Sequence, residues 1–411
     1  MNRVAAAGDR PGPLARAAAV ATGSRVLVLL TGFAAAGLIG IRQPSWAWRF
    51  PAGAETFSGV LGALLNPWAH WDGVWYIKIA RAGYADADGS TAFFPLYPLA
   101  LRYLGVLFRG DLVATGIVVS LACFALSVWL LFRLVAADLG ERVAARSVVY
   151  LSVFPTAFFL QAVYTESLFL MLSLACFVWS REGRWRLAGL AGLLAALTRS
   201  TGVLLVIPMA SYYFAGRGWR LRRADADGAN LLMVVEGLLL WMAYLALRFG
   251  RPLLFAEAQD QWRRAFTLPN LTIGRAVEAA VQGARQLVSH QYLDLYWPVS
   301  DPKDAFSVAT ANLVGLATLL LVALCLAYGL RRLPPAYSLY GVAAAAYPLL
   351  FPARTVPLLS YPRFAVVIFP VMVALAFATR DRPRAHAVVV AAMVLGLVAL
   401  TARFAVFAWV A

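Results

Sequence analysis

Charge is scarce in this sequence of 411 residues: Asp, Glu, Lys and Arg together supply 14%, where a soluble domain carries about 25%. That shortage excludes a chain that folds alone in water behind a polar surface. Lysine is nearly missing, with only Lys78 and Lys303, so arginine carries the formal charge of +16. The three cysteines, Cys123, Cys176 and Cys325, lie far apart within apolar runs. They leave neither disulfide nor metal spacing and read as packing residues. The three histidines, His70, His290 and His386, give no zinc set. Neither a glycine-rich phosphate loop nor a His-Glu-x-x-His pattern occurs. Nor is there room for a soluble nucleotide-binding domain. Any transfer reaction on this chain must draw on an activated donor already in the membrane.

Hydrophobic residues are what the chain has in abundance, at 62%. Several runs reach the roughly 20 residues needed to cross the hydrocarbon core. The segment from Met1 to Thr22 is rich in Arg and Ala, without a small-residue cleavage site behind a short apolar core. It reads as a cytosolic tail leading into a first helix rather than a removed signal peptide. Arginines cluster between apolar runs, at Arg133 to Arg146, Arg181 to Arg186, Arg217 to Arg223, Arg331/Arg332 and Arg380 to Arg384. Clusters at helix ends are what the positive-inside rule predicts. Topology and anionic-lipid contact therefore account for the basic charge, and nucleic acid is not an expected partner.

The pattern predicts an all-α polytopic membrane protein, one domain over 1–411, in the cell membrane with a cytoplasmic N-terminus. About eleven crossings are expected, within a range of about nine to twelve. They fall near 26–41, 112–134, 144–161, 165–180, 187–198, 201–216, 229–248, 307–329, 335–352, 362–379 and 386–409. The pair at 187–198 and 201–216 reads as two short spans or one broken helix. Phe93 to Phe108 is apolar enough for another span, but parity forbids it. Only one crossing fits between the loop before it and the cytosolic Arg133–Arg146 segment. Pro95, Pro98 and Arg102 suit an interfacial or re-entrant helix there. Two large loops, 42–111 and 249–306, then face the extracytoplasmic side, and the first holds Trp46, Trp48, Trp68, Trp71 and Trp75.

Chemistry-bearing residues gather on that side. In His70-Trp71-Asp72-Gly73-Val74-Trp75-Tyr76-Ile77-Lys78 a helix would align Trp71, Trp75 and Ile79, with Asp72 beside Tyr76. Asp72 is then either a general base near the headgroup plane or an N-cap flanked by belt tryptophans. Thr91 to Pro98, with Tyr97, reads alone as a rigid helix start. Glu166, in Tyr164-Thr165-Glu166-Ser167, opens an apolar run and either serves a site or favours a helix N-terminus. Arg199, in Arg199-Ser200-Thr201-Gly202, interrupts an apolar stretch, where charge is costly and usually functional. Arg363, in Tyr361-Pro362-Arg363-Phe364, either snorkels or grips a phosphate with paired hydrogen bonds.

Taken in order, His70–Gly73, Phe93–Pro98, Tyr164–Phe169 and Arg199–Gly202 resemble the motifs of the PIG-V family. Gly250–Gln259 and Tyr361–Phe364 resemble it less sharply. The resemblance implies a GT-C type helical bundle with an extracytoplasmic site, an inverting transfer, and mannose delivered by a polyprenyl-phosphate-mannose donor. The acceptor would be a glycan, glycolipid or protein. The high Arg and Ala content fits an actinobacterial member, for which a GPI acceptor is not expected. Asp72 matches the family's first-loop aspartate, the base that takes the acceptor proton. Glu166 matches the second acidic position, a further acid or an acceptor contact.

On that reading cations must meet the charge that grows on the leaving phosphate. Arg199 and Arg363 are the first candidates, with Lys78, Arg263 and Arg264 behind them. His70, Trp71, Trp75, Tyr76, Tyr97 and Tyr164 would line the substrate pocket. No cofactor is expected and no metal cluster is evident, though a divalent metal stays open. Two rival readings remain: a lipid-linked sugar flippase or transporter, and a non-catalytic partner of a glycosyltransferase. A transporter would be expected to show internal repeats. None is seen between the halves, and Glu236 is the clearest mid-span charge.

Overall fold

A computed structural model describes residues 12–40, 57–86, 88–220, 222, 224–289, 305–353, 356–408 and 410. Trp46, Trp48, His290 and Lys303 lie outside the described residues. The chain is helical almost throughout. Its one β feature among the described residues is an isolated antiparallel bridge between Arg264 and Ala353.

The first half holds α1 (Pro13–Ile39), α2 (Gly59–Leu65), α3 (Asp72–Ala82), α4 (Leu96–Leu104), α5 (Leu112–Leu139), α6 (Glu141–Val153), α7 (Glu166–Arg181), α8 (Trp185–Ala196) and α9 (Val206–Ala215). The second holds α10 (Leu232–Phe249), α11 (Leu254–Glu257), α12 (Pro269–Ser289), α13 (Ala305–Gly329), α14 (Pro335–Ala346), α15 (Tyr361–Ala365), α16 (Phe369–Thr379) and α17 (Pro383–Ala405). Local chemistry sets several ends. Pro13 opens α1, and Gly40 follows it at φ 82°, the usual proline-start and glycine-stop asymmetry. Asp111 caps α5 by accepting from Ala114 N at 2.9 Å. Gly140, at φ 88°, ends α5 and turns the chain straight into α6. α7 is buried around nearly its whole girth, as a helix apolar on all sides must be.

A helix occupies each of the eleven stretches expected to cross. Among the described residues, five segments are individually long and apolar enough to span: Pro13–Ile39, Leu112–Leu139, Ala226–Phe249, Phe306–Gly329 and Pro383–Ala405. The protein is a multi-pass membrane protein. The others are shorter or broken, and 187–198 and 201–216 are two pieces separated at Arg199. The apolar helix Leu96–Phe108 reaches about 20 Å at 1.5 Å per residue, too short for a core of about 30 Å. Its Leu96 N–H donates to Leu197 O at 3.0 Å, which ties it to the end of α8.

Two features stand out against the sequence reading. Arg25, the residue just before the 26–41 stretch read as the first span, lies inside α1 and is 8% exposed. Its guanidinium donates to Ser152 O at 2.8 Å and Ala157 O at 2.5 Å. Ser152 O belongs to the last turn of α6 and Ala157 O to the 3-10 helix Ala157–Leu160 that follows, so Arg25 supplies a donor that the helix terminus lacks and ties it to the next turn. The second is α12, 21 residues long, within the stretch 249–306 read as the second large loop. Its buried stripe is made of small or polar residues, Thr272, Ala276, Ala279, Ala280, Gly283 and Gln286. Gly283 lets the helix approach the backbone of α13 at Ala309. The larger apolar residues of α12, Ile273, Val277, Val281 and Val288, recur at helical spacing but stay exposed, so the apolar period marks a helix while the packed face is the small-residue one.

Candidate active site

Four charged side chains meet at one end of the bundle, each delivered by a helix start or break. Asp72 is the first residue of α3 and Glu166 the first of α7. Arg199 sits in extended backbone between α8 and the 3-10 helix Ser200–Leu205. Arg363 lies on α15, just after Ser360 at φ 64°. Arg363 Nη1 donates to Asp72 Oδ2, and its Nε lies 3.3 Å from Glu166 Oε1. Arg199 Nη2 reaches the same Glu166 oxygen at 2.6 Å. Two guanidiniums therefore share one carboxylate oxygen, and Arg363 joins both acids.

Glu166 is fully buried, and its Oε2 has no hydrogen-bond partner among the described residues. A carboxylate stripped of water is sustained only by paired cations. Its two arginines supply that compensation. Asp72 and Arg363 keep 17% and 12% of their side-chain surface exposed, because both open onto a cavity of about 920 Å³. Arg199 and Arg264 share that wall, with Trp71, Tyr76 and Tyr164. Arg264 donates to the carbonyls of Phe351 and Leu359, each at 3.1 Å. Desolvation, then the like charge of Arg363, lowers its pKa to about 10, while Asp72 pulls the other way. Arg199, Arg264 and Arg363 on the cavity wall stand against the carboxylates of Asp72 and Asp260 on it and of Glu166 behind it, three charges of each sign.

Of the expected residues, Asp72, Arg199, Arg363, Arg264, Trp71, Tyr76 and Tyr164 reach the cavity wall. Glu166 lies behind the arginines instead of on the wall. His70 is packed against Phe407 at 4.4 Å between ring centroids, with Nδ1 3.3 Å from Phe404 O. Burial pulls its pKa down to about 4, despite that carbonyl contact, so the ring is neutral near pH 7. Trp75 stacks on Phe93 at 5.7 Å, and Lys78 Nζ lies over the Trp75 ring at 4.8 Å. Tyr97 bonds to Gly116 O and Ser120 Oγ, at 3.2 and 3.1 Å. Arg263 is exposed at φ 51°. None of these last five forms part of the wall.

Some wall residues went unpredicted. Gln259, Asp260 and Trp262, from the turn after α11, line the cavity, as do Phe93, Phe94 and Tyr347. The Gly250–Gln259 stretch carried a faint motif signal. Asp260 and Trp262 lie just past it.

The glycine of the Arg-Ser-x-Gly stretch has a mechanical reason. A Cβ on Gly202 would overlap the backbone of Ala195 at the end of α8. Overpacking of this kind costs about 1–3 kcal/mol. Gly202→Ala is expected to lower the heat-inactivation temperature in detergent and to weaken turnover by displacing Arg199. An unchanged inactivation temperature would contradict that packing role.

Far from this cavity, α7 ends at Arg181, about 24 Å away at the rise of an α-helix. There Arg181 pairs with Asp138 at 2.5 Å, and Arg133 with Glu182 at 2.7 Å. The arginine-rich connections of the first half and the candidate site thus occupy opposite ends of α7. Among the described residues no group of three or more His, Cys, Asp or Glu side chains is arranged to hold a metal.

Residues 45–214 match the profile of the family described as Mannosyltransferase (PIG-V). GPI mannosyltransferase 2 of Drosophila melanogaster is 27% identical over 227 residues, covering 51% of this chain and 49% of that protein. GPI alpha-1,6-mannosyltransferase 2 of Mus musculus is 32% identical over 169 residues, covering 38% and 33% respectively. The chain spans half or less of the length of these relatives. Among solved structures, the Archaeoglobus fulgidus oligosaccharyltransferase AglB, in complex with an inhibitory peptide and a dolichol-phosphate, matches with a TM-score of 0.43 at 13% identity. That match covers 94% of this chain and 55% of that one. ArnT from Cupriavidus metallidurans, bound to undecaprenyl phosphate, matches with a TM-score of 0.36 at 13% identity, covering 86% and 77%.

Proposed function

We propose that this chain is a GT-C type inverting mannosyltransferase, a reading supported by the match of residues 45–214 to the profile of the mannosyltransferase PIG-V family. It takes mannose from a polyprenyl-phosphate-mannose donor and passes it to an acceptor hydroxyl on the extracytoplasmic side. One observation carries this reading: a carboxylate, Asp72, and three arginines, Arg199, Arg264 and Arg363, share one cavity wall. The end bearing the Arg133 and Arg181 clusters faces the cytosol, as the positive-inside rule requires.

The chemistry follows from that placement. Asp72 accepts the acceptor hydroxyl proton as the oxygen attacks the anomeric carbon. The bond from that carbon to the phosphate oxygen breaks on the opposite face, and its electron pair leaves with the phosphate. Arg363 and Arg199, with Arg264 beside them, stabilise that charge by preorganised hydrogen bonds. A phosphate that draws on Arg363 also competes with Asp72 for it, which frees the carboxylate for proton transfer. Glu166 acts through the arginines by holding both in place. No step needs a resident metal.

The test is transfer from polyprenyl-phosphate-mannose by the purified protein in lipid nanodiscs with EDTA, with glycolipid, polysaccharide and protein acceptors supplied in turn. A mannosylated product and free polyprenyl phosphate are expected. Movement of the lipid-linked sugar between leaflets without any glycosidic product would overturn the reading. Arg264→Met, which removes one of the cations that meet the charge growing on the leaving phosphate, should lower kcat/KM for the donor on the order of tenfold, as expected for a charge-assisted hydrogen bond, with kcat falling as well. A kcat/KM unchanged within twofold would remove Arg264 from the phosphate site.

A further inference from the structure

The backbone just before Asp72 is held in a conformation that its sequence does not favour. Trp71 has φ 56° and ψ −120°, a region natural to glycine and costly for a residue with a bulky side chain. Gly73 N–H closes a turn over it by donating to His70 O at 3.1 Å, and one side-chain hydroxyl spans the same residue. Tyr164 Oη donates to His70 O at 3.0 Å and accepts from Asp72 N–H at 3.1 Å. It thereby ties together the two peptide groups that flank Trp71.

Tyr164 is itself fixed. It is 1% exposed, and the loop carrying it is tied to the Asp72 loop by Val163 N–H donating to Trp68 O at 2.8 Å. Ser120 Oγ donates to Ala162 O at 2.7 Å. Gly116 admits Val163 against α5, where a Cβ would come within 2.6 Å of a Val163 methyl. The Arg363 guanidinium lies 5.5 Å from the centre of the Tyr164 ring, so the same tyrosine also packs beneath the cation paired with Asp72.

We propose that Tyr164 is the positioning residue of the site: its hydroxyl holds the strained Trp71 linkage and so sets where the Asp72 carboxylate stands. This rests on Asp72 being the base. The phenol makes no proton transfer of its own; its two hydrogen bonds go to backbone groups. Loss of the hydroxyl lets the Trp71 linkage relax, and Asp72 then stands away from the acceptor oxygen, where small displacements cost much rate.

The experiment compares kcat and KM for Tyr164→Phe, Trp71→Gly and the double variant, with Asp72→Asn alongside. Tyr164→Phe should lower kcat 10- to 100-fold, with donor and acceptor KM within twofold of the unmodified protein. In the Trp71→Gly background, where glycine adopts the linkage without strain, the same hydroxyl loss should cost less than threefold. Equal losses in both backgrounds, a kcat within twofold of the unmodified protein, or a change confined to KM would overturn the proposal. If Tyr164→Phe alone fails to fold, the double variant decides: it should fold as Trp71→Gly does and keep kcat within threefold of it. A double variant that fails as well overturns the proposal. Asp72→Asn separates the two claims. If it retains turnover, the base assignment falls; if it is inactive while Tyr164→Phe turns over normally, only the positioning role falls.

Discussion

Asp72→Asn is expected to lower kcat by about 10²–10⁴-fold, the range that a positioned general base contributes. The donor KM should stay level or fall. Asparagine keeps the size of the side chain but cannot take the acceptor proton. It also relaxes the hold on Arg363, whose Nη1 donates to Asp72 Oδ2, and so leaves that cation freer to meet phosphate. A residue needed only to cap α3 would behave differently, and here Asp72 is the first residue inside the helix, with Trp71 at the N-cap position. Steady-state kinetics on protein of normal yield and monodispersity provide the check. Turnover within a fewfold of the unmodified protein would remove Asp72 as base.

Glu166→Gln should produce the largest loss of stability. The substitution is nearly isosteric, yet it removes the one charge shared by Arg199 and Arg363. Two guanidiniums then face each other across a fully buried amide, and uncompensated buried charge costs about 3–5 kcal/mol. Heat inactivation in detergent should come markedly earlier, and turnover should fall at least about tenfold because both phosphate cations lose their support. Adding Arg199→Gln removes one of the stranded charges and should recover part of the stability but not the turnover. Such coupling is how a shared network differs from independent sites. Equal stability of Glu166→Gln and the unmodified protein would refute the network.

The bundle was readable because bilayer crossing demands long apolar runs, and every expected run is a helix. Parity, with Pro95, Pro98 and Arg102, set the Phe93–Phe108 stretch apart from the spans, and the Leu96–Phe108 helix is too short to cross. The loops were harder. α12 buries its alanines and Gly283 while Val277, Val281 and Val288 stay exposed, so its apolar period does not show which face packs. Arg25 looked like a flanking charge because nothing local shows that α6 ends where its carbonyls need a donor. The charged cluster was readable residue by residue but not as a network. Asp72 and Arg363 are 291 positions apart, and only folding shows that Arg363 links both acids. Glu166 shows the limit most clearly: its position at the start of α7 was visible, while its burial behind two arginines was not. The role of Tyr164 depends on the φ angle of Trp71, which no sequence pattern at that residue announces.

The proposed reaction is a single displacement at the sugar, with Asp72 on one face and the arginine-bound phosphate on the other. Its most direct test is the anomeric configuration of the mannosidic bond formed from polyprenyl-phosphate-mannose, read from the one-bond carbon–proton coupling of the product by NMR. The predicted product has the configuration opposite to that of the donor. A product that retains the donor configuration would contradict the account.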